Sequence, residues 1–185
     1  DDYRNIEGQY DVFVSIGMLE HVGVRHYERL GELIHRTLKR YGRGLIHSIG
    51  RLQEGPMNAW IERRIFPGAQ PPALSQFMRI FESNDLVVND VENLRLHYAR
   101  TLECWKERFN ARHDTVQAMM DEEFVKAWSL YLNGSIAAFR ASSLQLFQVL
   151  FAHALNNGLP PSREYMYRER GSIGRHLSIV PSEPD

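Results

Sequence analysis

Apolar positions along this chain fall into short runs and longer stripes that alternate. Residues 11–16, Asp-Val-Phe-Val-Ser-Ile, form a β-branched and aromatic run that stops at Gly17. It is too short for a helix and apolar on both faces, which predicts a buried parallel strand. Tyr27, Leu30, Ile34, Leu38 and Tyr41 then recur at steps of three and four, with Glu28, Glu32, Arg36 and Lys39 largely on the other faces. That spacing predicts a helix over about 25–40, with Gly42 and Gly44 as its end. A second strand is expected over about 44–49, Gly-Leu-Ile-His-Ser-Ile. Strand, helix and strand in about 40 residues make a βαβ unit, whose two strands run parallel.

The next stretch, about 51–75, is rich in turn signals: Gly55-Pro56, Pro67-Gly68 and Pro71-Pro72. It predicts a long loop with one short helix around 57–64. Such a loop after a parallel strand is either a lid or binding insertion, or a surface excursion anchored by Trp60. Further on, the pattern predicts a helix over 73–83 and a strand within 85–97. Helices follow over about 98–112 and 120–133, and 135–142 continues helically or starts anew. A last strand over about 143–152 follows helices and could pair antiparallel. From Asn156 the pattern stops, and Pro160-Pro161, Gly171, Gly174, Pro181 and Pro184 sit among charges. The expectation is an α/β domain with a mostly parallel sheet over 1–155 and a mobile tail over 156–185.

Composition narrows the partners. The 185 residues fit one domain, and 22 basic against 23 acidic residues leave a net charge of -1. A general polyanion-binding field, and so nucleic acid, is not expected. The single cysteine, Cys104, excludes an intramolecular disulfide and a cysteine-rich zinc site, and reads as a packed, inert thiol. No apolar run approaches the ~18 residues of a membrane span. The chain opens on Asp1-Asp2-Tyr3-Arg4 and enters a strand by about residue 11, which reads like the middle of a longer protein. An exposed sheet edge, and a homodimer through it, are corollaries of that expectation.

In sheets of this kind, ligands sit beyond the carboxyl ends of the strands. Glu20 and His21 follow the first strand directly. Glu20 either caps a helix start or presents a carboxylate that orients a ligand or accepts a proton. His47 lies in the second strand, where it is either a satisfied core histidine or a partner of Glu20 at the same edge. The eight histidines are scattered, and only His21 and His26 have a tolerable ligand spacing, so metal catalysis is not expected. Arg163, Arg168, Arg170 and Arg175 make the late segment basic; they could touch anionic headgroups or simply be solvated. No strand–G-x-G–helix phosphate loop is present.

Several ordered segments resemble the cyclopropane-fatty-acyl-phospholipid synthase family. They are Tyr10-Asp11-Val12-Phe13-Val14-Ser15-Ile16-Gly17-Met18-Leu19-Glu20-His21, Leu45-Ile46-His47-Ser48-Ile49-Gly50 and Trp60-Ile61-Glu62-Arg63-Arg64-Ile65-Phe66-Pro67-Gly68. His97-Tyr98-Ala99-Arg100, Trp105-Lys106-Glu107-Arg108-Phe109 and Tyr131-Leu132-Asn133 continue the series. The resemblance implies the carboxyl-terminal part of a Rossmann-like class I S-adenosylmethionine-dependent methyltransferase, with the amino-terminal half and its Gly-rich cofactor loop upstream of Asp1. It implies methyl transfer to the double bond of an unsaturated phospholipid acyl chain, a carbocation, and ring closure on proton loss. Related fatty-acid or mycolic-acid methyl transfer is the near alternative, and a non-catalytic lipid-contact or dimerisation module the distant one. A bound bicarbonate is implied as the base, held by Glu20, His47, Tyr98 and the Ile49 backbone. The resemblance further implies Asp2, Ile16, Gly17 and His21 at the cofactor. Ser135 stands where the family commonly has a cysteine, so it is expected to line the site without a thiol role. A cytoplasmic protein touching the membrane peripherally is the matching expectation.

Overall fold

Four segments become strands of one sheet in the computed structural model, which describes residues 2–167. They are β1 (Tyr10–Ile16), β2 (Leu38–Arg51), β3 (Leu86–Asn93) and β4 (Leu144–His153), in the spatial order β1-β2-β4-β3. β1 pairs parallel with β2, while β4 pairs antiparallel with both β2 and β3. The two reversals cancel, so β1, β2 and β3 all run one way and only β4 opposes them. The sheet is thus mostly parallel in strand direction, although the reversed strand sits in its interior.

Alternation along each strand sends side chains to two faces. Ile46 of β2 and Phe147, Val149 and Phe151 of β4 point to one face, where they pack with α2 (Tyr27–Thr37) and α4 (Leu74–Phe81). Ile49 of β2 and Leu144 and Leu146 of β4 point to the other, against α5 (Arg95–Asn110) and α7 (Glu122–Arg140). The result is three layers, helix–sheet–helix. Shorter helices fill the connections: α1 (Leu19–Val22), α3 (Ala59–Arg64), α6 (His113–Met119) and α8 (Glu164–Tyr167). The Asn58 carboxamide oxygen accepts from the N–H groups of Trp60 and Ile61, and the Asp121 carboxylate from that of Phe124, so both α3 and α7 start on a side-chain cap.

Several expectations change. β1 is not buried: Val12, Val14 and Ile16 are 62%, 54% and 68% exposed, because β1 forms the edge and its second face is uncovered among the described residues. The helix expected to reach residue 40 ends at Thr37, and β2 begins at Leu38 rather than 44. Gly42 and Gly44 lie inside that strand, not at a helix end, because a Cβ at Gly44 would sit 2.0 Å from the Phe151 ring. The strand expected within 85–97 is Leu86–Asn93, and the helix expected from about 98 starts at Arg95. The two late helical stretches are one helix, α7, with Gly134 inside it.

Beyond β4, Asn156 is buried and donates to the Gly42 carbonyl, and Arg163 pairs with Asp90 of β3. Arg168, Arg170 and Arg175 lie outside the described residues. No helix among the described residues is long and apolar enough to cross a membrane.

Candidate active site

The first strand leaves the sheet through Gly17, whose φ of +65° is the left-handed region that glycine adopts at no steric cost. The Gly17 N–H still donates to the His47 carbonyl at 2.9 Å, so the turn stays attached to β2. Two residues later α1 begins, and Glu20 swings beneath the end of β2. There it is only 7% exposed, and its Oε1 accepts from the Ile49 N–H at 2.6 Å. Its Oε2 is buried and has no hydrogen-bond partner among the described residues. A buried carboxyl oxygen left unpaired is costly to folding, and such groups gather where a ligand completes them.

Tyr98 approaches from α5. Burial first, and the negative charge of Glu20 second, push its phenol above the ordinary tyrosine value. The Tyr98 ring packs edge-on against Phe139 at 4.9 Å and Trp105 at 6.2 Å, which fixes it on the helix layer. From α7, Tyr131 lies near Tyr98. Its phenol is pushed up to about 12 by burial and then by Tyr98, while a hydrogen bond with Ser135 works the other way. Ser135 therefore touches this cluster through Tyr131. His47 alternates with Ile49 along β2, so its ring faces the same layer, half-buried. No described residue hydrogen-bonds that ring, so the satisfied core histidine is not what the structure contains.

The Ile49 amide, expected to face an anion, is engaged by Glu20 and reaches the site through that carboxylate. Ile16, Gly17 and His21 lie together at the carboxyl end of β1, all three exposed. The structure does not bring Asp2 into this group: its carboxylate caps a short helical turn and binds Arg4, which holds its pKa well below the usual carboxylate range. Among the described residues no three or more His, Cys, Asp or Glu side chains converge as a metal site. Cys104 is a free, half-buried thiol on α5.

Three contributors were given no site role by the motifs. Phe66, from the long loop, packs edge-on to His21 at 6.5 Å and to Tyr131 at 5.7 Å. Tyr27 is fully buried on α2 and donates to the Leu19 carbonyl at 3.3 Å. Tyr131 sits in a helical stripe with Phe124 and Trp128, where periodicity assigns it to the core. The visible signal was Tyr131 and Ser135 standing four apart on one helix face.

Known proteins resemble this chain in sequence and in fold. The chain is 36% identical over 163 residues to the cyclopropane-fatty-acyl-phospholipid synthase of Escherichia coli K12, covering 88% of this chain and 42% of that enzyme. It is 36% identical over 154 residues to the tuberculostearic acid methyltransferase UfaA1 of Mycobacterium tuberculosis, covering 80% of this chain and 36% of the relative. The chain thus spans less than half the length of these two relatives. The solved cyclopropane synthase MmaA2 of M. tuberculosis superposes with a TM-score of 0.75 at 26% identity, over 81% of this chain and 57% of that one. The mycolic acid cyclopropane synthase CmaA1, solved with S-adenosylhomocysteine (SAH) and CTAB, superposes with a TM-score of 0.74 at 27% identity, over 80% of this chain and 57% of that one. The fold is the Rossmann-like class I methyltransferase fold expected from the sequence. With the sequence profile of the mycolic acid cyclopropane synthetases matching residues 1–149, the chain belongs to that family.

Proposed function

We propose that the whole protein transfers a methyl group from S-adenosylmethionine to the double bond of an unsaturated phospholipid acyl chain, yielding a cyclopropane. The observation that carries this reading is Glu20: one oxygen is fixed by the Ile49 amide, and the other is buried with no partner at the carboxyl edge of a methyltransferase sheet. A small acidic anion such as bicarbonate fits that orphaned acceptor, because Glu20 Oε2 can take its proton in a hydrogen bond. Tyr98, kept protonated by its raised pKa, is a donor to the same anion, and the half-buried His47 ring is positioned to fix it. When bound, bicarbonate supplies the base and S-adenosylmethionine the electrophilic methyl group.

The remaining work falls to this chain's residues. Ile16, Gly17 and His21, exposed together at the carboxyl end of β1, would carry part of the cofactor contact. Tyr98, Tyr131, Phe139 and Trp128 form an aromatic wall that offers π faces to a developing carbocation and few nucleophiles to trap it. Ser135 lines that wall through Tyr131. A groove of about 220 Å³ between α3 and α7 is lined by Trp60 and Leu130 with Arg64, Lys126 and Glu123, and suits peripheral contact with a phospholipid from the cytoplasmic side.

The test is methyl transfer by the full-length protein to vesicles of unsaturated phospholipid. Glu20→Gln is expected to lower turnover by about 100-fold or more, the usual scale for losing an acid–base group. Turnover at the wild-type level in that variant overturns the assignment.

A further inference from the structure

We propose that residues 66–72 are a positioning strap for Glu20, and that Phe66 is the residue that sets it. The inference rests on the reading of Glu20 given above. The strap is tied at four places. The Phe66 N–H donates to the Ile61 carbonyl of α3, at 3.0 Å. A turn through Gly68, at φ +74°, returns the Ala69 N–H to the Phe66 carbonyl at 3.2 Å and leaves Ala69 buried. The Gln70 N–H then donates to the main-chain carbonyl of Glu20 itself at 2.7 Å. Finally, the Arg51 N–H, at the end of β2, donates to the Pro72 carbonyl at 2.9 Å.

The geometry has a consequence for the carboxylate. α1 is a single turn, too short to hold its own direction by helix hydrogen bonds. Its first two carbonyls are held from outside instead: Leu19 by the Tyr27 hydroxyl, and Glu20 by the strap. Phe66 closes the arrangement from the ligand side, with its ring against both His21, the next residue, and Tyr131 of the aromatic wall. The long loop is thus the element that aligns the carboxylate with the wall. Losing the Phe66 ring leaves the strap held by its main-chain hydrogen bonds alone and lets Glu20 rotate off Ile49, while the exposed edge of β1 is untouched.

Hydrogen exchange and kinetics on the full-length protein test this. In Phe66→Ala, exchange of the Ile49 and Gln70 amides is expected to rise about tenfold or more, with the Val149 amide on the opposite face unchanged. In the same variant kcat is expected to fall about tenfold while KM for S-adenosylmethionine stays within about threefold, the pattern of a misplaced group. Phe66→Tyr keeps the ring, and its hydroxyl can reach water at this 37% exposed position, so it should restore both readouts. Unchanged exchange at Ile49, or an equal rise at Val149, overturns the strap. If Phe66→Ala does not fold, Gln70→Pro deletes the donor to Glu20 and carries the same kinetic expectation, with exchange read at the Ile49 amide alone and the same overturning result there. Exchange needs no turnover, so a wild-type protein that methylates no lipid would sink the functional reading while leaving the strap to be judged on Ile49.

Discussion

The two faces of the sheet share the same strands and have opposite interiors. On the α2/α4 face, Tyr27, Ile34, Ile46, Phe77, Ile80 and Val149 are all 0% exposed, and the aromatic rings of Phe77, Phe81, Phe147 and Phe151 interlock. On the α5/α7 face the layer is looser: Tyr98, Trp128, Ile49 and Ile136 are only half-buried, as is His47, and the unpaired Oε2 of Glu20 lies close to Tyr98. The difference teaches where each burden lies. Dry burial on one face contributes most of the stability, roughly 25 cal/mol per Å² of apolar surface. That lets the other face carry polar groups which cost stability until a ligand meets them.

The comparison can be broken by substitution. The largest expected effect is Phe151→Ala, which should cost about 3–5 kcal/mol in urea unfolding because a fully buried ring leaves a cavity. Glu20→Gln should instead stay within about 1 kcal/mol of the wild type, since the amide oxygen still accepts from Ile49 and a buried charge is removed. Equal losses for the two would erase the distinction between the faces.

Two glycines sharpen it. Gly44→Ala should cost about 1–3 kcal/mol, because its methyl would meet the Phe151 ring in the dry core. Gly134→Ala, on α7 with nothing within 4 Å of the added methyl, should gain about 0.5–1 kcal/mol from helix propensity. Paired unfolding curves decide both, and a stabilising Gly44→Ala would contradict the packing described.

The smallest effect is alkaline. Tyr131 is raised from 10.0 to about 12 in the folded state, so the unfolded chain loses this proton first as pH rises. Its contribution is fully present below pH 10 and is lost progressively toward pH 12, so stability falls with pH across that window. Tyr131→Phe should flatten the slope there, seen in unfolding midpoints measured at half-unit steps.

Much of this molecule was legible in the order of its residues. Glu20 after the first strand and His47 in the second lie where a sheet of this class presents chemistry, and the alternation of His47 with Ile49 put both on one face. The boundary between α2 and β2 was not legible. Leu38 continues the three-and-four spacing, and Lys39 and Arg40 are good helix formers, so local propensity favours a longer helix. Tertiary packing overrides it: Leu38 is 2% exposed as the first residue of a strand, and Gly44 is small because Phe151 lies over it. β1 looked buried because a strand apolar on both faces reads the same at an edge as at a centre. Phe66 and Tyr131 were hidden for another reason. Their roles depend on contacts between a loop and a helix about 65 residues apart, and no local period reports such a meeting.

The reversed strand also sets a timetable. β4 is the last of the described strands to leave the ribosome, yet it lies between β2 and β3, pairing Arg43 with Ala152. At roughly 5–20 residues per second, the ~100 residues that separate β2 from β4 take about 5–20 s to synthesise. Throughout that interval the inner edge of β2 has no partner strand, joined by that of β3 once Asn93 has been made, and Ile46 has no Val149 beside it. The nascent chain therefore spends seconds with its driest surface open. Whatever shields that surface until His153 emerges, be it a holding chaperone or the earlier part of the protein, governs how much of the polypeptide reaches the folded form.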